Sequence, residues 1–243
     1  MSNQMRKTFL ALVCLLGTNS LISYEYQKKI THIMLDNADT AVYFNDGDTF
    51  KIVDTDLAGE RVRIEGFNAL ESYGPVHEWL DNSTEYLYDI SQEATHIAQN
   101  GRWHCVLLDD KDTYGRLLAR CDDLAKALIE KGLAHAYSID SRPANRSYLM
   151  HQKKAQKYGM GMWKNGIPEY MITSLHALSE GNGQPYNRLI SADDGHTKKM
   201  HHQDDYTTCQ KVCLEQDHSC MVYVPFMVRY EKNRPDCLMA NVN

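Results

Sequence analysis

Asp46-Gly47-Asp48-Thr49-Phe50-Lys51-Ile52-Val53, with Arg61-Val62-Arg63-Ile64-Glu65-Gly66-Phe67-Asn68-Ala69-Leu70-Glu71 close behind, is the stretch on which the fold turns. Phe50 and Ile52 alternate with Lys51 and Val53, and Val62 and Ile64 alternate with Arg61, Arg63 and Glu65. A period of two is that of half-buried strands. If Val62 and Ile64 face a core, Arg63 points the other way, into solvent or a cleft. Gly47 between two aspartates marks a tight backbone corner that could aim both carboxylates at one point. Carboxylates, an amide oxygen and arginines in so short a segment suit a hard cation bound together with an anion. Phosphate is the natural anion.

Upstream, Ile30 to Leu35 and Ala41 to Phe44 read as a first barrel strand and its lead-in. Downstream, a helix is predicted from about Ser83 to Gln99, burying Tyr86 or Leu87, Ile90, Ala94 and Ile97 on one face. Asn82 and Glu85 form a capping-box pattern at its start, and Gly101 lies just past its end. Two strand-like runs then flank the polar turn Asp109 to Tyr114. Folding that hairpin about its turn sets Cys105 opposite Cys121, and a disulfide is expected there. Asp122 or Asp123 caps a short helix, Leu124 to Lys131, closed by Gly132. Leu133 to Ile139 is extended or mixed, and Arg146 to Tyr158 is a last helix. Short strands with helices over one end predict an α+β fold, a small barrel with about three helices.

At 243 residues the chain can hold one medium domain and a small one. A net charge of −6 argues against a protein that grips nucleic acid through a broad basic surface. A cation and two arginines in a cleft would supply local positive charge instead. Arg6 and Lys7, the apolar run Thr8 to Gly17 and the small, polar Thr18 to Ser23 read as an export signal over residues 1–23, with an uncleaved anchor as the alternative. Secreted or periplasmic placement, with no membrane association after cleavage, is the corresponding expectation. Losing Cys14 with the signal leaves six cysteines, an even number suited to an oxidising compartment.

From about Pro168 the texture changes. Residues 171–204 show no sustained period and read as a linker, and residues 205–243 as a small module with Cys209, Cys213, Cys220 and Cys237. His196, His201 and His202 lie nearby, but C-x3-C-x6-C is not a usual zinc-finger spacing. Asn82-Ser83-Thr84 and Asn145-Arg146-Ser147 are glycosylation sequons, meaningful only on a eukaryotic secretory route.

The ordered motifs resemble the staphylococcal nuclease (thermonuclease) family, whose signature runs D-G-D-T, then R-L-x-G-x-D-x-P-E, then D-x-Y-G-R. Here these stand as Asp46 to Thr49, Arg63 to Glu71 and Asp112-Thr113-Tyr114-Gly115-Arg116, with Tyr73-Gly74-Pro75, Lys131 to Ala134, Tyr137 and Gly161-Met162-Trp163 at family-like places. The resemblance covers roughly residues 40 to 168, within a domain drawn at 24–170, and implies a five-stranded OB-fold barrel. It further implies a Ca²⁺-dependent hydrolase of DNA and RNA, acting on single strands or frayed duplex and leaving 3′-phosphate ends. Asp48, Asn68 and the backbone carbonyl of Ala69 would be metal ligands, with Asp46 a more distant acid acting through water. Glu71 would ready the attacking water, Arg63 and Arg116 would bracket the phosphate, and Tyr114 and Tyr137 would line the nucleotide pocket. Asn68 stands where the family has an aspartate, so weaker Ca²⁺ binding is expected. Leu70 replaces the usual proline. The alternatives are a catalytically impaired OB module binding nucleic acid or a protein partner, and a scaffold whose cysteine-rich tail binds a ligand of its own. A monomer is expected. The tail resembles a fragment of a PAN/apple-type module, with Cys209 and Cys213 on a helix; that resemblance implies Cys213–Cys220 and Cys209–Cys237, although four cysteines allow three connectivities.

Overall fold

The computed structural model describes residues 29–181, 183–230 and 234–239. The export signal expected over residues 1–23, Cys14 included, lies outside them. The chain runs β1 (Ile30–Leu35), β2 (Ala38–Phe44), β3 (Thr49–Ile52), β4 (Arg61–Ile64), β5 (Phe67–Ala69), β6 (His77–Trp79), α1 (Thr84–Asn100), β7 (His104–Lys111), β8 (Leu117–Arg120), α2 (Asp122–Glu130), β9 (Ala134–Ala136) and α3 (Arg146–Lys157). It continues with β10 (Tyr170–His176), β11 (Tyr186–Ser191), β12 (Thr197–His201), β13 (Lys211–Leu214) and β14 (Ser219–Val222).

A closed barrel in the order β1-β2-β3-β4-β8-β7 forms the centre. It has six strands where five were expected, because the lead-in to β2 is itself a strand. Asp36 (φ 49°) and Asn37 (φ 66°) make the two-residue turn between β1 and β2, and both residue types tolerate left-handed backbone. The period-two reading holds along β3 and β4: Phe50, Ile52, Val62 and Ile64 are fully buried, Lys51 is exposed and Arg63 is half-buried. Cys105 on β7 and Cys121 after β8 are both buried and joined by a disulfide.

α1 covers the barrel with Leu87, Ile90, Ala94 and Ala98. Its cap is Ser83, whose Oγ accepts from the Tyr86 amide at 3.2 Å, one residue later than expected. Asn82 is buried instead and donates to the Met162 carbonyl, so the first sequon offers no surface for a glycan. Asp122 and Asp123 fall in the first turn of α2, which Cys121 precedes. Anionic side chains there complement the helix dipole.

The region read as a linker, residues 171–204, holds a three-stranded antiparallel sheet in the order β10-β11-β12. Its pattern escapes a periodicity reading for physical reasons. β12 is an edge strand, exposed after Thr197 and polar apart from Met200, a register shift interrupts β10 between Ile172 and Ser174, and buried Asn187 is satisfied by the Tyr206 hydroxyl at 2.9 Å. One face carries Ile172, Leu175 and Leu189 into a second apolar core with Tyr73, Val76, Leu214, Met221, Tyr223 and Leu238.

Cys209–Cys237 and Cys213–Cys220 are both bonded. Cys209 and Cys213 are not on a helix, contrary to their spacing. Cys209 sits at φ 68°, and Cys213 lies on β13 directly across from Cys220 on β14. β14 also pairs with β6, so the tail shares a sheet with the segment that follows the barrel's Glu71. Three disulfides fit an oxidising compartment. Among the described residues no helix is long and apolar enough to cross a membrane.

Candidate functional site

Asp46 and Asp48 occupy the turn between β2 and β3, and Arg63 lies on β4 directly across from Thr49. Gly47 is required there for space: a Cβ on it would stand 2.9 Å from the Ala69 Cβ and 3.0 Å from the Ala94 Cβ. That approach, more than a special backbone angle, seats the turn on β5 and α1. Asp48 is 2% exposed. Its Oδ1 takes an ion pair from Arg63 Nη1 and a hydrogen bond from Thr49 Oγ1 at 3.1 Å, and its Oδ2 accepts from the Ala69 amide at 2.6 Å. Arg63 also donates from Nη2 to Asn68 Oδ1 at 2.7 Å, and Asn68 Nδ2 donates to the Ala69 carbonyl at 2.9 Å. Asp46 Oδ1 accepts from the Asp48 amide at 3.0 Å. β5 is held in place by β9, which sets His135 across from Asn68.

Glu71 follows β5, its amide donating to His77 Nε2 at 3.4 Å. Burial lifts its carboxyl above the ordinary carboxylate range. Arg229 opposes this most strongly, the Asp46 charge adds to it, and Arg63 and Arg116 oppose it further. Asp46 is lifted as well, by burial first, against the pull of Arg63 and Arg116. Burial lowers Arg63, and the neighbouring Asp46 resists that. Arg116 is oriented by Asp112, whose Oδ2 accepts from Nε at 2.6 Å and whose Oδ1 accepts from the Arg116 amide at 2.9 Å. Tyr114 stands at the rim, 65% exposed, with the Arg116 guanidinium 5.7 Å from its ring centre. Tyr137 is half-buried, and its amide donates to the Gly66 carbonyl at 2.9 Å. Burial raises its hydroxyl, while Arg188 and Arg63 draw it down.

Asp46, Asp48, Arg63, Asn68, Ala69, Glu71, Arg116 and Tyr137 therefore share one electrostatic neighbourhood, with Tyr114 at its edge. Two arginines that the motif reading does not reach join them. Arg229 lies 4.9 Å from the Tyr73 ring centre, its Nε donating to the Val224 carbonyl at 2.9 Å. Arg188 comes from β11. Neither is near the site in sequence. The one available signal was the even cysteine count of the tail, because bridges that fix the tail also fix where Arg229 stands.

The donor set suits a hard cation by type, being oxygen only: the Asp48 carboxylate, the Asn68 amide oxygen and the Ala69 carbonyl, with Asp46 behind them. Each of the three donors nevertheless already accepts from a protein group, and Arg63 takes both Asp48 Oδ1 and Asn68 Oδ1. Among the described residues, no group of three or more His, Cys, Asp or Glu gathers to hold a metal. A cation would compete with the Arg63 guanidinium for these oxygens.

Residues 61–165 match the family model described as staphylococcal nuclease homologue. The match takes in Arg63, Asn68, Glu71, Arg116 and Tyr137, while Asp46 and Asp48 precede it on the same barrel. No curated protein matches the chain.

Proposed function

We infer, from a chain whose residues 61–165 match the staphylococcal nuclease homologue model, that the protein is an exported Ca²⁺-dependent nuclease. It hydrolyses phosphodiester bonds of DNA and RNA with little sequence preference and leaves 3′-phosphate ends. The observation that carries this is Glu71, a half-buried carboxylate lifted above its ordinary range in the field of Arg63, Arg116 and Arg229. A base lifted in this way is closer to the pH at which it must work, which favours proton transfer.

Glu71 takes the proton from a water as its oxygen attacks phosphorus, and the 5′ oxygen leaves with a proton from solvent. Arg63 and Arg116 donate paired hydrogen bonds to the non-bridging oxygens, and these strengthen as charge builds in the transition state. Asp112 holds the Arg116 fork in position for that. Asp48, Asn68 and the Ala69 carbonyl would hold the cation, with Asp46 behind them; when bound, it supplies Lewis-acid polarisation of the phosphoryl group. Once substrate engages Arg63, the Asp48 and Asn68 oxygens that it occupies are released for that role. Tyr137 and Tyr114 stack on or bond the nucleotide. Contacts to phosphate carry no sequence information, hence the breadth of substrate.

The engagement of Asn68 with Arg63 favours a second reading, an OB-fold module that binds single-stranded nucleic acid without cutting it. Release of acid-soluble nucleotides from single-stranded DNA, with Ca²⁺ and with chelator, separates the two. Cleavage that needs Ca²⁺ supports the nuclease; binding without cleavage at any Ca²⁺ concentration leaves the module.

A further inference from the structure

The sheet β10-β11-β12 has two faces with different partners. On one, Met171 of β10 and Ile190 of β11 are buried in the barrel's own core. Directly opposed residues share a face, and side chains two apart along a strand do so too. The face that seats on the barrel at Met171 and Ile190 therefore continues outward as two cross-strand rows. The first row is Ser174–Arg188–Lys199 and the second is His176–Tyr186–His201. Neither row packs into a core: Arg188 and Tyr186 are half-buried, and Lys199 and His201 are exposed.

The two rows make a basic surface built around one ring. Lys199 Nζ stands 4.4 Å from the Tyr186 ring centre and the Arg188 guanidinium 5.8 Å from it, while Arg188 Nη2 donates to the Tyr186 hydroxyl at 3.1 Å. His176 lies against the same ring at 4.5 Å and His201 at 5.9 Å. Among the described residues neither Arg188 nor Lys199 has a carboxylate within ion-pair distance. Glu180, which meets His176 of this face at 3.3 Å, also accepts from the Tyr223 hydroxyl at 3.0 Å. Cations held over an aromatic face without anionic partners are poised for an anionic ligand that also has flat rings.

The surface adjoins the cleft. The segment leaving Tyr137 is pinned to the β11–β12 hairpin by Ser138 N to Gly195 O at 2.8 Å and Thr197 N to Asp140 O at 2.9 Å. The Arg188 charge draws the Tyr137 hydroxyl down, as the Arg63 charge does.

We propose that Tyr186, Arg188 and Lys199 form a second nucleotide subsite, which takes the phosphate and base next to the pair held at Tyr137 and so selects single-stranded polynucleotides several nucleotides long. Only an unpaired strand can lay a base on Tyr186 while its neighbour occupies the cleft. The residues lie beyond the region matched to the nuclease family, so the subsite belongs to this chain's own C-terminal sheet. The proposal rests on the cleft binding nucleic acid, and the test keeps the two apart.

The test uses the full chain carrying Glu71→Gln, so that substrate survives, and a fluorescent ten-nucleotide oligothymidylate. Arg188→Ala with Lys199→Ala should weaken binding at least tenfold at low salt. It should also make the slope of log affinity against log salt shallower by about 1.4, close to 0.7 for each phosphate contact removed from a single strand. Lys199→Glu alone, on an exposed strand that it leaves folded by circular dichroism, should act in the same direction. Tyr186→Leu should weaken binding with the salt slope unchanged. With Glu71 restored, cleavage of a dinucleotide should be unaffected by Lys199→Glu. Unaltered ten-mer affinity and salt slope in both the double variant and Lys199→Glu overturn the subsite, even if the protein cuts DNA. Loss of binding in a protein that cuts nothing overturns the nuclease reading and leaves the subsite standing.

Discussion

Replacing Arg63 by Met removes the cation paired to Asp48, a carboxylate whose side chain is 3% exposed against 17% for Arg63. Breaking a buried ion pair from one side costs about 3–5 kcal/mol, because the surviving charge stays desolvated. Asp48 keeps hydrogen bonds from the Ala69 amide and Thr49 Oγ1, which places the cost at the lower end, about 3 kcal/mol. Asn68 Oδ1 also loses its donor, worth on the order of 1 kcal/mol more. At roughly 2–4 °C per kcal/mol for a domain of this size, 3–4 kcal/mol corresponds to a Tm lower by about 6–16 °C. Urea denaturation followed by circular dichroism, without reductant, measures the free energy directly. The pair is then isolated by a cycle with Asp48→Asn: the double variant should lose at least 1 kcal/mol less than the sum of the singles. Ca²⁺ should stabilise Arg63→Met more than it stabilises the unaltered protein, since the guanidinium no longer contests the same oxygens. A cost below 1 kcal/mol, or strict additivity with Asp48→Asn, would refute the arrangement around Asp48.

Asn68→Asp restores a negative charge to the donor set and should lower the Ca²⁺ concentration needed for half-maximal activity; an unchanged Ca²⁺ requirement means that position 68 is no ligand. Removing the bridge with Cys105→Ala and Cys121→Ala opens a loop spanning 16 positions. That should cost about 3 kcal/mol in non-reducing urea denaturation, and a loss below 1 kcal/mol would deny the bridge a stabilising role. His77 and His135 are both held neutral by burial, each lowered to about 4. Between pH 6.5 and pH 4 the unfolded chain binds protons that the folded one does not, so stability rises with pH across that window and is flat in these two groups above it. The full contribution is on the order of 3 kcal/mol for each histidine, and stability measured from pH 4 to 8 should show a shallower slope in His77→Gln than in the unaltered protein.

Much of the barrel was legible because its strands alternate in a strict period of two: Phe50, Ile52, Val62 and Ile64 can face only inward once Lys51 and Arg63 face out. The gathering of Asp46, Asp48, Arg63, Asn68 and Glu71 was legible for the same reason, since β3, β4 and β5 are consecutive and their polar residues fall at one end. The sixth strand was hidden in a two-residue turn at Asp36 and Asn37 that the sequence does not distinguish from a lead-in. The C-terminal sheet was hidden more deeply. Buried Asn187 breaks its apolar pattern, a register shift breaks β10, and its outer rows are polar because they are not core. Arg188 and Arg229 reach the cleft only through that sheet and the disulfide-fixed tail, and no local spacing announces a contact made across so much intervening chain.

The account rests on Glu71 as the group that readies water. Single-turnover cleavage of a short single-stranded DNA by the full protein and by Glu71→Gln, in saturating Ca²⁺, tests this most directly. Cleavage should slow by roughly 10²–10⁴-fold, the usual loss for a general base, while affinity for the uncut strand stays within a few fold. Equal rates in the two proteins would contradict it.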